Sequence, residues 1–453
     1  MHDLTTGSIT RHILLLAGPI VAGMFFQTLY LLVDLYFVAG LGDEAIAGVA
    51  AAGNAQFIIM ALTQVLNVGT MASIAHATGR KDRDEANVVF NQSLTLAVCG
   101  ALLTMLAGYS LGGRFTAHLA ADAATAAAGT RYLYWFLPAL ALQFVIAAMG
   151  AALRGTGIAK PTMLVQMSTV ILNVILAPVL IAGWGTGKPM GVAGAGLAST
   201  LAVAIGTALM ALYFLKLERY VGFNRRLWAL RFDVWRRILR IGLPPGGEFA
   251  LMFVYLTVIY WLIRGFGSEA QAGFGIGMRV MQAIFLPAMA IAFATGPVAG
   301  QNFSAGRFDR VTATFRSSAV VITLIMLLLT AFSQWRPAML IGVFTTEAGV
   351  IAVGGEFLRI ISWNFIASGL IFTCSGIFQA LGNTLPPLFS NGTRLLTFVV
   401  PGVVLAGHPG FELRHLWALS VASVALQAVV SLGLLRHSLH RLRPPASTRP
   451  ASA

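Results

Sequence analysis

"GLGDEAIAG" at residues 40–48 and "GFGSEAQAG" at residues 265–273 are two copies of one pattern, 225 positions apart. Each begins in a glycine-broken turn and runs on into apolar sequence. The same displacement takes Pro19 onto Pro244, "GIAKP" (157–161) onto "GNTLP" (382–386), and Tyr132-Leu133 onto Phe357-Leu358. "TGRKDR" (78–83) and "AGRFDR" (305–310) match at a shift of 227, so one small insertion intervenes. The chain is an internal duplication.

What is duplicated spans membranes. Of 453 residues, 57% are hydrophobic and only 10% charged, and the mean hydropathy is +0.81. A soluble domain carries about 25% charged residues, so this chain could not cover a soluble surface. Apolar runs between charged or Gly/Pro breaks give twelve helices, one of them over 347–380, each past the ~20 residues that cross a bilayer. The short alternating segments of a β-barrel are absent from the sequence. The expected fold is an all-α polytopic membrane protein, with twelve transmembrane helices in two pseudo-symmetric six-helix bundles. Residues 1–217 form the N-terminal lobe, 218–235 a cytoplasmic linker, 236–440 the C-terminal lobe and 441–453 a disordered tail. Six helices per copy preserve orientation, so the repeat is parallel, about an axis along the membrane normal. That architecture points to a transporter rather than a channel or an enzyme.

Lys and Arg set the topology. With the N-terminus inside, the inner segments hold Arg80, Lys81, Arg83, Arg154, Lys160, the stretch from Lys216 to Arg240, Arg307, Arg310 and Arg316. The outer loops hold Arg114, Lys188, Arg264, Arg336 and Arg414, with Arg131 at a helix mouth. The bias predicts both termini inside. It also accounts for the net charge of +14 without a nucleic-acid partner. "MHDLTTGSITRH" runs into an apolar segment too long for a cleavable signal, so the first helix is expected to target the chain. Trp and Arg spacing in "LERYVGFNRRLWALRFDVWRRILRIG" (217–242) suggests a short amphipathic helix on the inner leaflet. The two cysteines make neither a disulfide framework nor a metal motif, and nucleotide-binding, nucleophile and zinc spacings are absent. The triplets "NQS" (91–93), "NFS" (302–304) and "NGT" (391–393) fall in or beside apolar helices, which rules against glycosylation. No cofactor, resident metal or catalytic residue is expected.

Of sixteen acids, two lie within spans: Asp34 in the first helix and Glu248 in the seventh. An intramembrane ionisable group is a functional-site hypothesis by default. From Ile13 to Asp34 the helix climbs about 31 Å, which puts Asp34 in the outer half. Gln27 and Tyr30 share its face. Pro19, lower on the same helix, removes a backbone hydrogen bond and predicts a kink. The equivalent of Asp34 in the second copy is Ile259, so the fold itself does not require the acid. Arg279, Arg359 and Arg394 also lie within spans.

"GPIVAGMFFQTLYLLVDLYFVAGLGDEAIAG" (18–48), "ALRGTGIAKP" (152–161) and "GIGMRVMQAIFLPAMAIAFATGPVAGQNFSAGRFDR" (275–310) resemble the MATE (multidrug and toxic compound extrusion) transporters, over about residues 11–437. The resemblance implies two six-helix lobes, a V-shaped cavity opening alternately to either side, and export of organic compounds driven by H⁺ or Na⁺. It implies that Asp34 serves cation coupling and Pro19 a hinge. In the family's fifth helix an Asn is followed four residues later by Asp and then Pro. Here "NVILAP" keeps Asn173 and Pro178 but has Ala177, and "GAGLAS" places Ser199 where a hydroxyl is expected. A Na⁺ site wants several hard oxygen ligands, so the lost carboxylate favours H⁺. Some relatives carry a Glu one turn beyond Glu248, where this chain has Met252. Glu248, Tyr255 and Arg279 are the candidate contacts in the second lobe. The implied partners are small organic compounds, amphipathic or cationic, and the lipid bilayer. A monomer in a bacterial inner membrane is expected. The competing reading is a flippase of a lipid-linked saccharide or cell-wall precursor.

Overall fold

The computed structural model describes residues 2–442 apart from positions 121 and 186, and of residues 31–35 the backbone alone. It is built of helices: α1 (Ile9–Ala39), α2 (Asp43–Gly79), α3 (Arg83–Leu119), α4 (Ala123–Gly155), α5 (Lys160–Ile181), α6 (Val192–Lys216), α7 (Phe232–Ile263), α8 (Ser268–Ser304), α9 (Phe308–Trp335), the short α10 (Pro337–Gly342), α11 (Ala348–Ile361), α12 (Asn364–Ala380), α13 (Leu385–Ala406) and α14 (Leu413–Leu442). Among the described residues, eleven helices are long and apolar enough to cross a membrane. The twelfth span is the pair α11–α12, bent by 57°. The unbroken helix expected over 347–380 is therefore interrupted. Side chains of α9 take up the carbonyls that the break frees. Gln334 donates to Arg359 O at 2.7 Å, and Thr330 to Ser362 O at 3.1 Å. Backbone groups at membrane depth must find such partners.

The chain divides into two compact units. The first holds Gly18–Gly246 with His2 and Asp3; the second holds Leu4–Ala17 and the chain from Gly247. The linker expected over 218–235 lies within the first unit. The start of α1 packs with the second unit, and α7 as far as Gly246 packs with the first. Each changeover falls within a few residues of a proline, Pro19 in α1 and Pro244-Pro245 in α7.

Each unit repeats one packing scheme. In the first, α4 packs on α2, α3 and α6, and α5 on α6. In the second, the bent α11–α12 packs on α8, α9 and α14, and α13 on α14. The duplicated turn keeps its conformation: Gly42 and Gly267, 225 positions apart, precede α2 and α8 at φ 102° and 90°. Only glycine adopts that region without strain. A close helix crossing is duplicated too. A Cβ on Gly48 would come within 2.7 Å of Gly129 N, and one on Gly273 within 3.0 Å of Gly354 N, again at a shift of 225. Small residues let membrane helices approach closely where no hydrophobic force draws them together.

The linker is not the amphipathic helix expected. Between α6 and α7 the described chain has a single 3₁₀ turn, Arg225–Leu227. Amide side chains of α3 hold this strap by its backbone instead. Asn87 donates to Tyr220 O (3.0 Å) and accepts from Gly222 N (2.9 Å). Asn91 donates to Gly222 O and accepts from Asn224 N and from Trp228 Nε1, each at 2.9 Å. Gln92 donates to Leu227 O and Ala229 O and accepts from Arg231 N at 3.0 Å. These bonds claim the groups that an α-helix would pair internally. The segment before α1 is held likewise in the second unit. Leu4 N donates to Gln301, Asn302 and Arg310 donate to Leu4 O, and Arg310 also reaches Gly7 O at 3.0 Å. Arg83 and Arg310 are repeat equivalents, and Arg83 grips Tyr220 O at 3.0 Å. Of the expected disordered tail, Arg441 and Leu442 end α14, and residues 443–453 lie outside the described part.

Candidate functional site

In the first unit two of the polar candidates lie where α5 packs on α6. Asn173 of α5 and Ser199 of α6 are both fully buried, and Asn173 Nδ2 donates to Ser199 Oγ at 3.3 Å. Asn173 Oδ1 is buried without a partner among the described residues. An unmade bond of that kind costs about 1–3 kcal/mol, so this oxygen is an acceptor held in reserve. Ala177, in place of the acid that the family resemblance leads one to expect, is buried as well and offers no side-chain oxygen to an ion. α1 meets α5 where Gly23 faces Gln166. Further along α1, Gln27 is exposed and Tyr30 half-buried with an interior hydroxyl. The side chain of Asp34 lies outside the described residues; its backbone continues the helix. The structure therefore joins Asn173 to Ser199 and leaves their geometry to Asp34 unstated.

In the second unit the equivalent seam, α7, α13 and α14, carries a longer polar column. Glu248 Oε2 accepts from Asn391 Nδ2 at 2.9 Å, and Asn391 Oδ1 accepts from Gln427 Nε2 at 2.8 Å. Glu248 Oε1 and Gln427 Oε1 are buried without partners among the described residues. Two turns along, the Tyr255 hydroxyl meets Ser420 Oγ at 2.9 Å. The Arg394 guanidinium sits 4.4 Å from the centroid of the Tyr255 ring. Arg394 shares a face of α13 with the buried Ser390 and Phe398, so it points into the unit. Arg279 does not join this group. It is exposed on α8 and belongs to no ion pair among the described residues. Arg359 is exposed in the last turn of α11. Met252, one turn beyond Glu248, is also exposed.

The shift of 225 aligns the two seams. Tyr255 falls on Tyr30, and Asn391 on Gln166. Glu248 falls on Gly23, so the Glu248–Asn391 bond occupies the place where Gln166 meets Gly23. Asp34, Asn173 and Ser199 fall on Ile259, Phe398 and Val424, all three buried. Sequence reading missed Asn91, Asn302 and Asn391, which it had considered only as glycosylation triplets. An amide on the interior face of an apolar helix was the available signal.

A duplicated twelve-helix membrane bundle with a polar station in each half is a membrane transporter. The MatE family pattern matches residues 19–179 and 244–404, whose ends are again 225 apart, and the chain belongs to that family. Its members are transporters, not enzymes. The chain is similar to "Probable multidrug resistance protein YoeA" of Bacillus subtilis, at 23% identity over 94% of this chain and 93% of that one. It is similar to "Multidrug export protein MepA" of Staphylococcus aureus, at 24% identity over 93% of each. Among solved structures, "Outward-facing conformation of a multidrug resistance MATE family transporter of the MOP superfamily" superposes with a TM-score of 0.90, at 24% identity over 97% of this chain and 98% of that one. These relatives give no support to the flippase alternative.

Proposed function

We propose that the protein is a secondary-active exporter of small organic compounds, amphipathic or cationic, working by cation antiport with H⁺ as the coupling ion. It acts as a monomer in a bacterial inner membrane, with both termini inside, and has no cofactor beyond that ion. The observation that carries the choice of H⁺ is the Asn173–Ser199 pair beside the buried Ala177. Two neutral side chains and a methyl group make a poor cage for Na⁺, whereas one carboxylate with a neutral acceptor nearby suffices for a proton.

In this cycle Asp34 takes a proton from outside, which lowers the cost of burying it. Bound substrate loses its fit and leaves outward, and Asp34 returns the proton inside. Pro19 supplies the bend in α1, and Gln27 and Tyr30 share the face that substrate meets. Glu248 and Tyr255 supply a second polar station in the other unit. Coupling requires that proton and substrate favour different states. Dye efflux from reconstituted vesicles tests the reading. A pH gradient alone drives efflux and a Na⁺ gradient alone does not, and Asp34→Asn abolishes the pH-driven flux. Equal efflux by Asp34→Asn and wild type would overturn it.

A further inference from the structure

Lys216 to Arg240 carries eight basic residues and two acidic ones. The strap within it is fastened to α3 through backbone carbonyls and N–H groups and packs Val221 and Phe223 into the core, which leaves its arginine side chains free of both tasks. Arg225, Arg226, Arg231 and Arg236 are exposed. None of them enters an ion pair among the described residues, where Glu85 is taken by Arg80 and Arg237. The acids nearby are few: Glu218, which accepts from Tyr220 N, and Asp233 in the first turn of α7.

Large apolar side chains stand beside these arginines. Trp228, Leu230 and Phe232 are 49%, 54% and 70% exposed. Trp228 is also aimed, because its Nε1–H is tied to the buried Asn91 and the rest of the ring is presented outward. At the end of α6, where the strap begins, Leu215 and Leu217 are exposed as well. Aromatic rings at headgroup level and arginines facing anionic lipid are the two elements of membrane-surface recognition.

We propose that the strap is a binding platform for anionic phospholipid of the inner leaflet. Arg225, Arg226 and Arg231 hold headgroup phosphates, and Trp228, Leu230 and Phe232 enter the acyl boundary. The charge complementarity selects an anion. The exposed Trp228, Leu230 and Phe232 interleaved with the arginines select a lipid over a nucleic acid or an acidic protein. Because α7 begins at Phe232 and packs with the first unit as far as Gly246, bound lipid steadies the strap and the root of α7 together. The inference rests on the inner placement of the strap in the reading above, but its test does not involve transport.

The full chain is placed in nanodiscs containing acyl-brominated phosphatidylglycerol or acyl-brominated phosphatidylcholine at equal mole fraction. Tryptophan quenching is measured for wild type and for Trp228→Phe, and the difference isolates Trp228. The anionic lipid is expected to quench Trp228 at least threefold more effectively, and the preference should collapse in 1 M salt, where screening is nearly complete. The variant R225Q/R226Q/R231Q should quench equally with both lipids. Equal quenching of wild type by both lipids at low salt overturns the proposal. So does quenching by neither, which marks the face as turned to water and to a soluble partner. The salt dependence is read on wild type, so the proposal stays testable if the triple variant folds poorly.

Discussion

Asn91→Leu tests the claim that amide side chains, rather than helical structure, order the connection between the two halves. Asn91 is fully buried. It bonds to Asn87 O within its own helix, and to Gly222 O, Asn224 N and Trp228 Nε1 in the strap, each at 2.9 Å. Leucine has a similar volume and keeps the packing of α3, but it removes all three bonds to the strap. At a net value of about 1 kcal/mol each, the strap loses about 3 kcal/mol of local stability, and water repays little at the buried end. Local opening governs amide exchange in the native state. A loss of that size speeds exchange on the order of 10²-fold. Hydrogen–deuterium exchange on the protein in nanodiscs should show this acceleration in peptides covering 219–231, with α3 and α6 unchanged. Asn54→Leu, whose amide bonds only to Ala50 O and Ala51 O of its own helix, should leave the strap as it was. Unchanged exchange over 219–231 in Asn91→Leu would show that the strap is ordered by something other than these bonds.

Gly48→Ala and Gly273→Ala should each lower thermal stability by about 1–3 kcal/mol, since both force apart a close crossing, whereas Gly18→Ala meets nothing within 4 Å and should be silent. Equal melting of all three variants would show that the crossings are looser than drawn. Asp122 caps α4, and its carboxyl is held below the usual carboxylate range first by the Thr125 backbone N–H at 2.7 Å and then by the Thr125 hydroxyl. A depressed folded-state value gives stability that is complete above the ordinary carboxylate value and is lost as pH falls through the lower one. Asp122→Ala should therefore melt lower than wild type near neutral pH, with the gap closing in acid; a gap that widens in acid refutes the assignment. Ile259→Asp, made in the Asp34→Asn background, should not restore dye efflux and should destabilise by several kcal/mol, because Ile259 is buried and the repeat equivalents of Asn173 and Ser199 in its unit are the apolar Phe398 and Val424. Recovery of efflux would show that the position alone confers coupling.

The duplication was legible because it resides in backbone requirements. Gly42, Gly48, Gly129 and their partners at Gly267, Gly273 and Gly354 each meet a turn or a crossing that admits no side chain, and such a demand leaves the same letter in both copies. Asn173 and Ser199 were legible for another reason, as polar residues on apolar helices at positions the family resemblance marks. The strap was misread because its Trp and Arg spacing mimics an amphipathic helix. What decides its structure is three amides about 130 residues away, and local periodicity cannot report a long-range bond. The break in α11–α12 escaped for the same reason, since Gln334 and Thr330 that stabilise it lie on α9. Arg279 was grouped with Glu248 and Tyr255 on family pattern, and it is exposed on α8.

The aligned seams show that the two copies keep their polar residues at different positions along the repeat. Tyr30 and Tyr255 mark the same level in the two copies. In the first copy the polar residues lie one turn beyond that tyrosine, at Asp34, and in the second two turns before it, at Glu248. An intramembrane polar group is costly, so a copy that does not use one drifts to a packing residue. Ile259, Phe398 and Val424 fill the first station's place in the second unit, and Gly23 and Ala202 fill those of Glu248 and Gln427 in the first. Packing alone would have let both stations disappear. Their survival at unequal levels is what separate tasks would preserve. On the proton-antiport reading, the station near the outer end of α1 is reached first from outside, and the one at the root of α7 first from inside.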